Sequence, residues 1–256
     1  MSREPTLVSF VLAGYLYHCR RRRNNWHYVV PTWRSHLLAS MAHRVLKGLV
    51  GGCALLLLGV TVAGCAAPPY TYVANSSKST YFKIPNDWHQ IGAKALAAEL
   101  NAQAGADEWM VAYEPGAKPL AADFGSYKDS KPFVFADVGT LSSTAISVVS
   151  YNALRDVILP VTATARSNAA AQGSTLSGFK QLRDEVLTLP QGVHGVRETY
   201  QYTFGGGVSD TFDQIALTNA DQTVLYLLYV HCTTSCFGKH QNEINQVMSS
   251  FTVRSP

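Results

Sequence analysis

Residues 196–230 read VRETYQYTFGGGVSDTFDQIALTNADQTVLYLLYV and have the pattern of three consecutive β-strands. Alternation puts three aromatic side chains of the first strand on one face: Tyr200, Tyr202 and Phe204. The glycines at 205–207 and the residues at 219–221 predict turns on either side of a strand at 209–218. Residues 224–230 are almost wholly apolar, which favours a central strand covered on both faces. The stretch therefore predicts an antiparallel meander.

Outside the meander, short β-rich runs bounded by Gly, Pro or Ser predict five more strands, at 80–84, 109–113, 133–138, 146–149 and 179–189. Helical spacing and alanine content predict helices over 93–103, 154–165 with a break at Pro160, 163–171 and 244–251. Helices at both ends and in the middle, around a sheet buried on both faces, indicate an α+β fold. We expect an α/β/α sandwich with a central, mainly antiparallel sheet.

Residues 41–64 have the organisation of a bacterial lipoprotein signal peptide. A basic head with Arg44 and Lys47 precedes an uncharged run at 49–63, which is shorter than the about 20 residues that span a bilayer. The run leads into VAGC at 62–65, which resembles the lipobox, and this resemblance implies a diacylglycerol on Cys65 and cleavage before it. An uncleaved signal-anchor helix is the alternative.

The remaining segments divide the chain around that signal. Residues 1–40 carry four arginines at 20–23 and are interpreted as an extension from a start codon placed too early, or as a long basic n-region. Residues 65–78 are small, polar and proline-bearing, which is typical of a tether. Residues 79–254 then form one domain with a single core.

The charge of the chain is divided unevenly between the signal segment and the domain. The whole chain carries a net charge of +4, but residues 1–64 hold 8 of its 21 basic residues and 1 of its 17 acidic residues. From Cys65 onward, 13 basic residues stand against 16 acidic ones, a net charge of −3. Without a basic stripe, this part is not expected to bind nucleic acid.

Two of the five cysteines fall in the domain, within HCTTSCFGKH at 231–240. An even pair in an oxidising compartment favours a disulfide between Cys232 and Cys236, since one helical turn brings their Cα atoms to about 6 Å. Free thiols are one alternative, and a zinc site that adds His231 and His240 is the other. Neighbours such as His231 and Cys232 point to opposite sides of a strand, which disfavours zinc.

A search for catalytic chemistry finds no motif that assigns a catalytic residue, a metal site or a cofactor. A G-x-S-x-G elbow is absent, and the histidines outside residues 1–64 have no nucleophile context: His89, His194, His231 and His240. The adjacent carboxylates at 107–108 and 184–185 are expected to be solvated charges. Partly covered aromatic residues predict a ligand groove instead, and the candidate binding residues are Trp88, His89, Tyr200 and Tyr202.

The domain also carries a family resemblance. YFKIPNDW at 81–88, GVHGV at 192–196 and SFTV at 250–253, behind a lipobox, resemble the PsbP-like fold of actinobacterial LpqN-type lipoproteins, over residues 79–254. The resemblance implies an envelope location and a non-enzymatic binding role. The expected function is therefore a cell-envelope lipoprotein that binds a partner protein or a small apolar or glycosylated ligand at the outer face of the cytoplasmic membrane. The alternatives are an envelope hydrolase for cell-wall or lipid substrates and, more weakly, a metal carrier.

Overall fold

The computed structural model describes residues 69–100, 108–127, 130–205 and 207–254. The expected extension at 1–40, the signal peptide at 41–64 and the lipidation site Cys65 lie outside the described residues. Asp107, one member of the first carboxylate pair, lies outside them as well. Within the described ranges, no helix has the length and apolar character needed to cross a bilayer.

A sheet of seven strands organises the domain. Its strands are β3 (Trp88–Gln90), β4 (Trp109–Pro115), β5 (Phe133–Thr140), β6 (Ser177–Thr188), β7 (His194–Thr203), β8 (Ser209–Thr218) and β9 (Val224–Thr233). Their order across the sheet is β3-β4-β5-β9-β8-β7-β6, and every pairing is antiparallel. The predicted meander is confirmed as β7, β8 and β9, and the apolar β9 occupies the middle of the sheet.

A second, three-stranded sheet corrects the predicted tether. Strand β2 (Thr80–Pro85) pairs with β1 (Tyr70–Asn75) on one side and with β10 (Thr252–Val253) on the other. Strand β1 lies inside the segment expected to be a flexible tether at 65–78. Its YTYVAN sequence is rich in β-forming residues, and Val73 is buried against the domain core. Ordered structure therefore begins earlier than the composition indicates.

Helices cover both faces of the large sheet, which confirms the α+β class and its sandwich arrangement. On one face, α6 (Gln241–Ser249) packs with the small sheet through Ile244, Val247 and Met248. On the other face, α1 (Ala93–Glu99) contributes Leu96. Three more helices follow β5 in the chain: α2 (Ser143–Ile146), α3 (Tyr151–Arg155) and α4 (Ala163–Ala171). The first and second of these pack on the same face as α1.

One predicted strand is wrong. Residues 146–149 were expected to be extended, but α2 ends at Ile146 and a short turn follows. The side chain of Ser142 accepts a hydrogen bond from the backbone N–H of Ala145, and this cap fixes a helix start that outweighs the β-branched residues after it. The break predicted at Pro160 is confirmed, because α3 and α4 lie on either side of it.

Candidate functional site

The alternation of β8 and β9 brings two ionisable side chains together inside the domain. Phe212 pairs with His231 across the strands, and Asp210 precedes Phe212 by two residues, so all three side chains share one face. His231 Nδ1 lies 3.2 Å from Asp210 Oδ2. The exposed fractions are 1% for His231 and 0% for Asp210. We call these two residues the buried pair.

The buried pair is only half satisfied by hydrogen bonds. The contact between His231 Nδ1 and Asp210 Oδ2 uses one polar atom of each side chain. Among the described residues, none makes a hydrogen bond to His231 Nε2 or to Asp210 Oδ1. One buried polar atom of each side chain therefore has no hydrogen bond in the described part of the chain.

Aromatic rings enclose His231. Ring centroids at 5.4–5.8 Å from its imidazole belong to Tyr127, Phe133, Phe212 and Tyr229. These side chains come from β5, β8, β9 and the loop after β4, so the enclosure depends on elements that are far apart in the sequence. Because the face of an aromatic ring carries negative partial charge, this enclosure favours a cation near its centre.

A small cavity lies against Tyr127, one of the rings around His231. It has a volume of about 220 Å³ and is lined by residues 125–127 together with Phe204, Gly205 and Val208, and we call it the notch. The rings of Tyr127 and Phe204 are parallel, with their centroids 3.8 Å apart. Tyr127 contacts His231 as well, so it is a wall shared by the notch and the buried pair.

The electrostatics of Tyr127 reflect this position. Burial raises the pKa of its phenol, and the negative charge of Asp210 raises this pKa further. Tyr127 therefore remains a neutral phenol at physiological pH. It presents an apolar ring with a hydroxyl donor beside the carboxylate.

Two carboxyl side chains, those of Glu114 and Asp123, form a hydrogen bond next to the segment that leads to Tyr127. Glu114, on β4, is buried, and its Oε1 lies 3.3 Å from the Lys131 ammonium. Burial, followed by a hydrogen bond with Asp123 and by the charge of Asp123, raises the pKa of Glu114 to about 7, while Lys131 opposes this shift. Asp123 belongs to a 3-10 helix at Ala121–Gly125, directly before Tyr127.

Phe124 fixes the same 3-10 helix from the core side. Its ring makes edge contacts with Phe133, Phe135 and Tyr229, at centroid distances of 6.0, 5.2 and 5.9 Å. Such edge-to-face contacts stabilise a defined orientation. Residues 125–127 line the notch, and Phe124, directly before them, is therefore fixed by these core contacts.

The four residues predicted to line a ligand groove do not converge. Trp88 is buried in the core, whereas His89 is exposed on the edge strand β3. Tyr200 and Tyr202 lie on β7, five strand positions away, which is about 24 Å at the usual strand spacing. Both tyrosines are buried, so an open groove along them is not what the structure shows.

The hydroxyl groups of Tyr200 and Tyr202 each make a hydrogen bond within the domain. The Tyr200 hydroxyl donates to Gln214 Oε1 at 3.1 Å, and the Tyr202 hydroxyl donates to the backbone carbonyl of Pro160. The Tyr200 ring also stacks on Phe212, which in turn stacks on His231. Tyr200 therefore packs on Phe212, which is one of the rings that enclose His231.

The other histidines make separate contacts. His194 Nδ1 lies 2.8 Å from the carbonyl oxygen of Gly192, and His240 Nδ1 lies 2.7 Å from Glu243. In the second predicted carboxylate pair, Asp184 forms an ion pair with Arg155. Among the described residues, no group of three or more His, Cys, Asp or Glu side chains is placed to hold a metal ion.

The disulfide expected from the sequence is present. The sulfur atoms of Cys232 and Cys236 are bonded, and their Cα atoms lie 5.9 Å apart. The bridge joins the end of β9 to α5 (Thr234–Lys239), whose N-cap Thr233 accepts a hydrogen bond from the backbone N–H of Cys236. With both sulfurs in one bond, the zinc alternative does not describe this structure.

Sequence reasoning missed Tyr127 and Asp210 as members of a site. One signal was available: His231 continues the β9 alternation, two residues after Tyr229, and so lies on a buried face. A histidine at such a position needs a hydrogen-bond partner. Asp210, at the start of the neighbouring strand, is that partner.

Comparisons with known proteins give distant structural likeness. No family model matches the chain, and a search of curated proteins found no match. A cyanobacterial PsbP from Synechocystis sp. PCC 6803 is 14% identical, with 75% of this chain and 96% of that chain covered and a TM-score of 0.42. LpqN, involved in cell envelope biogenesis of Mycobacterium tuberculosis, is 14% identical, with coverages of 73% and 91% and a TM-score of 0.42. Likeness at these TM-scores carries no argument about function.

Proposed function

We propose that the chain is a non-catalytic cell-envelope lipoprotein, anchored through Cys65 at the outer face of the cytoplasmic membrane. Its domain binds a partner protein or a small apolar or glycosylated ligand. The observation that carries the binding role is the notch, a cavity with two aromatic walls, one of which is the neutral phenol Tyr127. Apolar walls with a few convergent polar groups are typical of ligand sites.

The location rests on separate grounds. The Cys232–Cys236 bridge is typical of proteins in an oxidising compartment, outside the cytoplasm. The VAGC sequence at 62–65, after a short apolar run, supports lipid attachment. Together they favour a domain that faces outward from the membrane.

The non-catalytic role is supported by how the histidines are used. His194 makes a hydrogen bond with the carbonyl oxygen of Gly192 in a turn. His240 makes one with the carboxylate of Glu243, three residues later in the chain. His231 lies inside an aromatic enclosure with a buried carboxylate. These contacts stabilise turns, helix ends and strand packing.

Intact mass of the membrane-extracted protein, before and after reduction and alkylation, tests the anchor. We expect a chain that begins at Cys65, carries a diacylglycerol and gains two alkyl groups only after reduction. A chain that retains residues 1–40, with thiols that alkylate without reduction, contradicts both the anchor and the compartment.

Photo-crosslinking in intact cells tests the binding role. A photoreactive residue at Val208, in the lining of the notch, is expected to capture a specific ligand or protein. The matched control carries the photoreactive residue at Tyr72, which is exposed on the small sheet. Identical products from both sites, or none above background from either, contradict a binding role for the notch.

One observation favours the alternative of an envelope hydrolase. A histidine oriented by a carboxylate is two thirds of a Ser-His-Asp arrangement, and the buried pair supplies it. The missing element is a hydroxyl within hydrogen-bond reach of Nε2. Fluorophosphonate labelling that is abolished by His231→Gln is the result that selects this alternative; an unlabelled protein excludes it for serine chemistry.

A further inference from the structure

The small sheet of β1, β2 and β10 has one face in the core and one face directed away from it. Four of its side chains are buried in the domain core: Val73, Phe82, Ile84 and Val253. The alternate positions face outward. In the register Tyr72 lies opposite Lys83 and Tyr81 lies opposite Thr252, so the members of each pair share the outward face. Tyr72 is 68% exposed there.

Two cations lie over tyrosine rings on this outward face. Lys83 Nζ is 5.3 Å from the ring centroid of Tyr72, and the guanidinium carbon of Arg254 is 6.0 Å from the ring centroid of Tyr81. The backbone N–H of Arg254 donates to the carbonyl oxygen of Ser79 at 2.8 Å, which holds Arg254 beside the sheet. Each contact therefore presents a positive charge and a phenol side by side. We call Tyr72, Tyr81, Lys83 and Arg254 the tyrosine–cation face.

The charge of this region is opposite to that of the rest of the domain. The described strands β1, β2 and β10 contain no acidic residue. Residues 69–87 and 250–254 together hold three basic residues and one acidic residue, Asp87, a net charge of +2. From Cys65 onward the chain has a net charge of −3, so its other residues carry −5. An anionic surface therefore attracts this region and repels the remainder.

The small sheet also begins close to the expected lipid anchor. Strand β1 starts at Tyr70, five residues after Cys65. A chain extends by at most about 3.6 Å per residue, so Tyr70 lies within about 18 Å of a lipid attached to Cys65. A surface linked to the membrane over so short a distance meets the lipids intramolecularly, so weak contacts are sufficient to hold it there. This proximity favours the membrane over a protein partner as the occupant of the tyrosine–cation face.

The chemistry of the tyrosine–cation face fits the interface between lipid and water. A tyrosine has an apolar ring and a polar hydroxyl, and tyrosines are enriched at the depth of the lipid headgroups. Lysine and arginine side chains pair with phosphate groups and are attracted to anionic lipids. Both kinds of side chain are present here on one flat, ordered face.

We propose that the tyrosine–cation face docks on an anionic lipid surface and thereby orients the domain on the membrane that carries the anchor. Tyr72 and Tyr81 lie at the level of the headgroups, and Lys83 and Arg254 contact lipid phosphates. This inference rests on the lipid anchor of the proposed function, and it adds the surface that the domain presents to the membrane.

Photo-crosslinking in vesicles tests the docking. The membrane-extracted protein is reconstituted in phosphatidylcholine vesicles with or without phosphatidylglycerol, which is anionic. A photoreactive residue replaces Ala74, which is exposed and lies opposite Tyr81, and the matched control replaces Leu182 on the edge strand β6. We expect phosphatidylglycerol to raise the yield of lipid adducts at Ala74 by at least about fivefold and to leave Leu182 at background. Equal yields at both sites, or no effect of phosphatidylglycerol at Ala74, overturn the proposal.

Paired charge variants separate the tyrosine–cation face from a general effect of net charge. Lys83→Gln with Arg254→Gln is expected to lower the lipid adduct at Ala74 by at least about fivefold in vesicles with phosphatidylglycerol. The matched control, Lys180→Gln with Arg183→Gln, removes two cations from β6 and should leave the adduct unchanged. An equal loss in both variants contradicts docking through this face. If the first variant does not fold, the effect of phosphatidylglycerol on the unaltered protein still decides.

The outcomes distinguish failure of this inference from failure of the anchor. Intact mass reports a diacylglycerol on Cys65 whether or not the domain docks. If the diacylglycerol is present and the adducts at Ala74 do not depend on phosphatidylglycerol, the anchor stands and the docking is wrong. A protein adduct at Ala74 in intact cells, in place of a lipid adduct, assigns the face to a partner protein and also overturns the docking. If the diacylglycerol is absent, the docking fails together with the anchor, because the short distance to the lipids is lost.

Discussion

Two buried polar pairs lie on opposite faces of the same three strands, and they differ in how completely they are satisfied. Arg197 contacts Asp213 in a bidentate manner, Nε to Oδ1 at 3.0 Å and a terminal nitrogen to Oδ2 at 2.7 Å. Asp210, only three residues before Asp213, has one oxygen bonded to an imidazole and one without a partner among the described residues. The first pair satisfies both carboxylate oxygens, and the second leaves one of them without a hydrogen bond in the described part of the chain.

This difference separates a satisfied pair from a half-satisfied one. The forked guanidinium matches both oxygens of a carboxylate, so the Arg197–Asp213 pair needs nothing further. The four predictions below test that division, from the largest expected effect to the smallest.

Breaking the satisfied pair has the largest effect. Asp213→Ala leaves the Arg197 charge buried without its partner, and we expect the free energy of unfolding to fall by about 3–5 kcal/mol. Urea denaturation followed by tryptophan fluorescence measures it. The control is Arg197→Met with Asp213→Leu, which removes both charges and is expected to recover most of the loss. A single variant as stable as the parent contradicts a structural role.

Opening the disulfide has a smaller effect. A bridge that closes so short a loop stabilises the fold by about 2 kcal/mol through loop-closure entropy. The double variant Cys232→Ser with Cys236→Ser is therefore expected to unfold at a lower urea concentration, by that amount. Reducing agent should shift the parent protein to the same midpoint and leave the double variant unchanged. If reductant also shifts the double variant, the bridge is not the cause.

Stability should also depend on pH through three buried carboxyls. Burial raises the pKa of Glu114 to about 7, of Glu198 to about 7 and of Asp137 to about 8. At these three carboxyls the folded state binds more protons than the unfolded state, so their contribution to stability is greatest below about pH 4 and decreases as the pH rises to about 8. Thermal unfolding midpoints between pH 4 and pH 9 measure this decrease.

Glu114→Gln isolates one part of that pH dependence. The amide cannot ionise, so the decrease in stability between about pH 4.5 and pH 7 should become smaller. The matched control is Glu185→Gln, on the exposed edge strand β6, which should leave the curve unchanged. Equal curves for parent and Glu114→Gln contradict the shared role of Glu114 and Asp123.

The exposed edge strand should give the smallest effect. Leu182 and Val186 on β6 are exposed apolar residues. Leu182→Lys is expected to change the free energy of unfolding by less than about 0.5 kcal/mol. Its contrast is Leu227→Ala on the central strand β9, where about 2–5 kcal/mol should be lost. A larger loss of the free energy of unfolding for Leu182→Lys indicates that the exposed face of β6 contacts another molecule in solution.

Local sequence patterns predicted six of the seven strands of the large sheet, where those patterns are strong, and missed the three-residue edge strand β3. An apolar run such as 224–230 is typical of a strand covered on both faces. Alternation such as that around Tyr200 is typical of a strand covered on one face. The strand at 70–75 was missed because prolines and small polar residues flank it, and only its pairing with β2 reveals it. The strand predicted at 146–149 was wrong because the Ser142 cap is a more local signal than β-branching.

The candidate site was predictable only in part. The Cys232–Cys236 bridge was predicted from the cysteine spacing and from the oxidising compartment that the sequence leads one to expect. Trp88, His89, Tyr200 and Tyr202 were grouped as a ligand groove because aromatic content does not specify burial, and the sheet order then separates them.

What the sequence by itself determined is local: the alternation that makes strands, the break at Pro160 and the cysteine pair, while the lipobox-like VAGC at 62–65 stays a prediction. What only the tertiary structure decided is which polar side chains meet. Asp210 reaches His231 because the register of β8 and β9 places them on one face, and Tyr127 covers them from a loop far away in the sequence. Periodicity encodes the face of each strand, but register and loop packing depend on contacts between distant segments.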